Sequence, residues 1–124
     1  MTLAAIAWQE SHLGKYLVAL KEGSVGIHHI NIESAIKRSG LKDNDFNRAY
    51  IATEIIKDPV LSSEYAIKEL KYWKAQGRNW RQMVMSYNSG WDINHGQAKR
   101  YLSLIREKVE TLSQCEHVWL KPYL

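Results

Sequence analysis

Apolar residues recur at three- and four-residue intervals through most of this chain, the spacing of amphipathic helices. Leu3, Ile6, Ala7 and Glu10 fall on one face of a first helix, with Thr2 as its candidate N-cap. Residues 20–31 hold two glycines beside a β-branched stretch and break the period, so they read as a loop or small hairpin. A short helix is expected from Ile32 to Arg38, stopping at Gly40. The next run, Asp45 to Lys57, puts Phe46, Ala49, Tyr50 and Thr53 on one face and ends at Asp58-Pro59. Leu61 to Ala75 follows, built on Ala66, Leu70 and Trp73, with Gly77 as its C-cap. Trp80, Met83, Val84 and Tyr87 form another stripe that stops at Gly90. Ala98, Tyr101, Leu102, Ile105, Val109 and Leu112 mark a long closing helix, while Glu116 to Leu124 shows no period. The expected class is mainly α, with at most a small β element.

Composition narrows this picture. A length of 124 residues suits one domain, expected over 1–124, and a hydrophobic share of 45% argues against disorder. Cys115 is the only cysteine, so an internal disulfide, an iron–sulfur cluster and a Cys-rich zinc site are excluded. The adjacent histidines His28 and His29 lack an obvious third ligand, and no metal or organic cofactor is expected. The early apolar run Leu3–Trp8 is far short of the roughly 20 residues of a membrane span, and it has neither the basic flank nor the cleavage site of a signal peptide. A net charge of +4 suits polyanionic surroundings: nucleic acid, an anionic membrane surface or the bacterial cell wall. Nucleic acid is the weakest of these, because Trp80–Tyr87 is too apolar for a recognition helix.

Glu10 is the odd residue on its stripe. A carboxylate facing a core is costly to ionise, because burial disfavours the charged form. It is either a core-edge glutamate paired with Lys15 or Arg100, or a general acid of the kind glycosidases use. Its neighbours bear on the choice. The segments Trp8–Gly14, Gly23–Asn31 and Met85–Gly90 bring Ser, His, Tyr and Asn side chains and flexible glycines that could converge on Glu10. Amides and hydroxyls around one desolvated carboxyl suit a polyhydroxylated ligand.

Glu10-Ser11, then Ser24-Val25-Gly26-Ile27-His28-His29-Ile30, then Tyr87-Asn88-Ser89-Gly90, then Tyr101 occur in an order and spacing that resemble the soluble lytic transglycosylase family, related to goose-type lysozyme. The similarity runs from about Leu3 to Val109. It implies a lysozyme-like α-rich fold and cleavage of the N-acetylmuramic acid–N-acetylglucosamine β-1,4 bond of peptidoglycan glycan strands. It also implies that Glu10 is the catalytic acid and base, and that Ser11, Ser24, Gly26, His29, Tyr87, Asn88 and Tyr101 form the substrate-binding set. His28 and His29 stand where the family usually has Met and Gln, and Ser89 replaces an alanine. The chain ahead of Glu10 is shorter than the family usually has. With no signal peptide and a substrate outside the cytoplasm, a phage or prophage lysin, or a piece of a longer gene, is the expectation. A monomer is the default expectation.

The reaction forks on a second carboxylate. One glutamate suffices for a transglycosylase that closes a 1,6-anhydro ring. A hydrolysing muramidase of the inverting kind needs a base about 6.5–9.5 Å away. Glu22, just before the Ser24–Ile30 wall, is the candidate, and Asp92 is a weaker one; otherwise Glu22 is a solvated loop charge beside Lys21. Trp91 could stack on a sugar ring. The rival class is a non-catalytic cell-wall-binding or virion structural domain that kept the fold.

Overall fold

The computed structural model describes residues 1–120, with side chains through Cys115. Residues 121–124, part of the single domain expected from the sequence, lie outside the described residues. The order is α1 (Thr2–Ser11), β1 (Val18–Ala19), β2 (Ser24–Val25), β3 (Ile30–Asn31), α2 (Ile32–Ser39), α3 (Asp45–Lys57), α4 (Pro59–Ala75), α5 (Trp80–Ser89) and α6 (Gly96–Leu120). The protein is mainly α with one small β element, a three-stranded antiparallel sheet in the order β1-β2-β3.

Local chemistry explains the boundaries. Asn31, Asn44 and Asp58 each accept a backbone N–H from the first turn of the helix they precede. Asn79 and Gln82 close a reciprocal capping box at the start of α5. Asp58-Pro59 thus ends α3 and also starts α4, proline at the first helical position lacking only an N–H that would be unpaired there. The helix α1 starts at Thr2 itself, with Met1 in the cap position and no side-chain cap. Gln76 caps α4, and Gly77 follows it in the left-handed conformation.

Two apolar clusters form the core. Val25, Ile30, Ala35, Ile36, Ile51, Ile55, Tyr65 and Ala66 join the sheet to α2, α3 and α4. Ala5, Ile6, Val84, Tyr101 and Ile105 join α1, α5 and α6. Tyr87 packs against both clusters. Two stripes differ from expectation. Phe46 and Tyr50 are 78% and 53% exposed, and α3 buries Ile51 and Ile55 instead. Both faces of that helix carry apolar pairs at i and i+4; packing against α2, α4 and β2 selects the isoleucines. Trp80 is 38% exposed at the start of α5, where its indole N–H donates to Thr2 Oγ1 at 3.2 Å. The closing helix runs past its last periodic residue to Leu120.

Candidate active site

The sheet register builds one wall of a cleft. Ala19 pairs with Ser24 and Ser24 with Asn31, so the three share a cross-strand row, and all three line a cavity of about 480 Å3. Val25 and Ile30, in the neighbouring row, are buried in the core. Glu10 from α1, Glu22 and His29 from the loops around β2, Arg38 from α2, Glu69 from α4, Tyr87 and Asn88 from α5, and Gln97 from α6 are among the other residues that line the cavity.

The turn Gly26–His29 is fastened from four directions. Gly26 has φ +84° and lies against Ile55 of α3. Ser11 Oγ at the end of α1 lies 2.6 Å from the Ile27 carbonyl oxygen and accepts the Gly14 N–H at 2.8 Å. Ser62 Oγ of α4 accepts the His28 backbone N–H at 3.2 Å and lies 3.1 Å from its Nδ1. Tyr87 Oη of α5 donates to the His28 carbonyl at 2.8 Å. His28 is nearly fully buried, and its pKa is lowered by desolvation, against weaker raising contributions from the Leu3 backbone and Glu10. A neutral ring accepting the Ser62 hydroxyl at Nδ1 fits that environment.

These fastenings place His29 beside Glu10. His29 has φ +45°, an uncommon conformation for a residue with a Cβ, and its N–H closes the turn onto the Gly26 carbonyl at 3.0 Å. Its Nε2 lies 2.7 Å from the Tyr16 carbonyl oxygen and must donate there, which leaves Nδ1 3.4 Å from Glu10 Oε2. The other carboxyl oxygen, Oε1, accepts the Tyr101 hydroxyl at 2.7 Å. Among the described residues the carboxyl is paired with Tyr101 and His29, not with Lys15 or Arg100. Burial, then the nearby Glu10 charge, pushes the Tyr87 and Tyr101 phenols well above the ordinary tyrosine range, so both remain donors. Contact with the Glu10 carboxyl is chief among the causes that raise the His29 pKa, against desolvation, which lowers it.

Of the residues expected to hold substrate, Ser24, His29, Tyr87 and Asn88 line the cleft. Ser11 does not: its side chain is fully buried and its oxygen is engaged by Ala7, Gly14 and Ile27, so it is a fastening rather than a ligand contact. Gly26 is likewise buried behind the wall, and Tyr101 reaches the site only through Glu10. Glu22 lines the cleft; Asp92 does not, and its Oδ1 instead accepts the Asn94 N–H at 3.1 Å. Trp91 stands outside the lining, edge-on to Trp73 with ring centroids 4.9 Å apart.

Sequence reasoning missed the far wall. Arg38 Nε donates to Glu69 Oε2 at 2.7 Å, Trp73 Nε1 donates to Glu69 Oε1 at 2.8 Å, and the guanidinium lies 4.2 Å from the Tyr72 ring centre. Arg38 is 31 residues from Glu69, a pairing without a local signal. Among the described residues no three His, Cys, Asp or Glu side chains gather as a metal set, and no helix is long and apolar enough to cross a membrane. One carboxyl that is hydrogen-bonded at one oxygen, faces an imidazole at the other and lines a polar groove can exchange a proton with a bound ligand. A family model described as the Transglycosylase SLT domain matches residues 1–108. No curated protein and no solved structure gives a match.

Proposed function

The chain belongs to the transglycosylase SLT family, and from that membership we propose that it cleaves the N-acetylmuramic acid–N-acetylglucosamine β-1,4 bond of peptidoglycan with Glu10 as its one acid and base. The observation that carries this reading is the Glu10 carboxyl itself, set in the cleft wall with Oε1 held by Tyr101 and Oε2 beside His29. The carboxyl gives its proton to the glycosidic oxygen as the bond to muramic acid C1 breaks, and the glucosaminyl leaving group departs as an alcohol. The carboxylate then takes the proton of the muramic acid C6 hydroxyl as that oxygen bonds to C1. The 1,6-anhydro ring closes, and Glu10 has its proton back. The Tyr101 hydrogen bond steadies the carboxylate between the two transfers. Ser24, Asn31 and Asn88 supply hydroxyl and amide groups suited to the sugar hydroxyls and N-acetyl groups. On this reading the enzyme works at the cell wall.

Glu22 on the same cavity favours one second reading, in which it activates water and the product is hydrolysed. Mass spectrometry of digested peptidoglycan separates the two. Muropeptides ending in 1,6-anhydromuramic acid, made by the wild type and not by Glu10→Gln, support the transglycosylase. Reducing-end products one water heavier, abolished by Glu22→Gln, support the hydrolase. Full activity in Glu10→Gln refutes both.

A further inference from the structure

The geometry points to a shared proton: we propose that His29 and Glu10 hold one proton between Nδ1 and Oε2, making His29 a positioning residue that sets the alkaline limit of activity. The inference rests on the reading of Glu10 as the acid and deepens it. Three constraints act on the imidazole. Nε2 must donate to the Tyr16 carbonyl at 2.7 Å, so in the neutral ring the lone pair sits on Nδ1 and faces Glu10. Glu10 Oε1 is occupied by the Tyr101 hydroxyl, so Oε2 is the oxygen left to carry or lack the acidic proton. The 3.4 Å separation is longer than a closed hydrogen bond, but a small carboxyl rotation closes it, and catalytic contacts commonly tighten when ligand binds.

Two arrangements of that one proton are satisfied. In one, the Glu10 carboxyl donates from Oε2 to neutral Nδ1 and stands ready to protonate a glycosidic oxygen. In the other, imidazolium Nδ1–H donates to the carboxylate. Removing the proton leaves the Oε2 and Nδ1 lone pairs facing each other, with no donor between them. That repulsion opposes removal of the proton, in the same sense as the raised pKa of His29. Between turnovers the proton moves only between these two atoms; in turnover Glu10 passes it to the glycosidic oxygen and takes one back from the C6 hydroxyl, so no outside donor is needed.

The charged and titratable groups around the pair act in a consistent sense. Glu22, on the same cavity, adds negative charge that favours keeping the proton on His29. The Tyr87 and Tyr101 phenols stay neutral, and buried His28 favours its uncharged form. The strained φ of His29 supports a functional placement, since the Gly26 and Tyr16 carbonyls together hold a conformation that a side chain rarely adopts. Glutamine at this position, the residue the family usually has, can hydrogen-bond Glu10 but cannot store a proton.

The test has two arms. The imidazole nitrogens of His29 are titrated by NMR in the wild type and in Glu10→Gln; the wild-type ring should titrate above the ordinary histidine range and fall back toward it in the variant. The pH profile of kcat/KM on peptidoglycan is compared for the wild type and His29→Gln; the alkaline limb should move to lower pH in the variant, whatever the substitution does to the height of the plateau. Identical His29 titration in both proteins, or an alkaline limb that His29→Gln leaves in place, overturns the proposal. The NMR arm needs no substrate, so failure of the glycan chemistry and failure of the shared proton are told apart.

Discussion

Replacing Gly26 by alanine should damage the protein more than its one added methyl suggests. The cost has two parts. At φ +84° any residue with a Cβ is strained, by about 1–2 kcal/mol. The new Cβ would also lie 2.6 Å from Ile55 Cγ2 and 3.0 Å from both the Ile55 carbonyl oxygen and Ser62 Oγ. Carbon atoms pack at about 3.5–4.0 Å, so the overlap approaches 1 Å. Ile55 is fully buried, and its carbonyl belongs to α3, so little can yield; overpacking of this kind costs about 1–3 kcal/mol. The sum is about 2–5 kcal/mol, a large part of the roughly 5–15 kcal/mol that holds a domain folded. Gly23→Ala is the matched control, because Gly23 has φ +61° and nothing within 4 Å of its would-be Cβ. Urea denaturation of the two variants should therefore differ by the steric part alone, about 1–3 kcal/mol. Equal destabilisation would show that the Gly26–Ile55 approach constrains nothing. Activity measured where Gly26→Ala is still folded should fall too, because Gly26 anchors the turn that carries His29.

Tyr101→Phe removes a hydrogen bond to a carboxylate, and kcat/KM should drop about 10- to 100-fold without vanishing; a wild-type rate would reduce Tyr101 to packing. Ser11→Ala strips the Ile27 carbonyl and the Gly14 N–H of their partner and should cost about 1–3 kcal/mol in denaturation while leaving KM unchanged, whereas a raised KM at unchanged stability would restore Ser11 as a substrate contact. His28, with its folded pKa lowered, gives stability that is complete above its ordinary value of 6.5 and is lost as pH falls below it, because the unfolded chain takes up the proton first. His29 acts in the opposite sense: its charge stabilises below 6.5, and that contribution is lost as pH rises through its raised pKa. Denaturation midpoints between pH 8 and pH 5 should thus decline less in His28→Asn than in the wild type, and parallel slopes would refute the burial argument.

The amino-acid sequence by itself determined the helices, several caps and the order of the chemical groups. Gly40, Asp58-Pro59 and Gly90 act through neighbours within a few positions, and such local signals can be read along a chain. Glu10 was legible because a carboxyl on an apolar stripe is anomalous wherever the stripe packs. Tertiary structure decided which face of each helix is buried and what Glu10 touches. Phe46 and Ile51 are equally apolar to a periodicity argument, and only the presence of α2 and α4 on one side chose between them. The three fates of the expected site residues divide in the same way. Asn88 faces the groove, Ser11 is turned inward to hold a turn, and His29 is bent by a left-handed backbone onto the carboxyl from 19 positions away. The Arg38–Glu69 wall has no local trace at all. Spacing along the chain reports periodicity and capping; a hydrogen bond between distant segments depends on the direction of a side chain, which is set only when the elements pack.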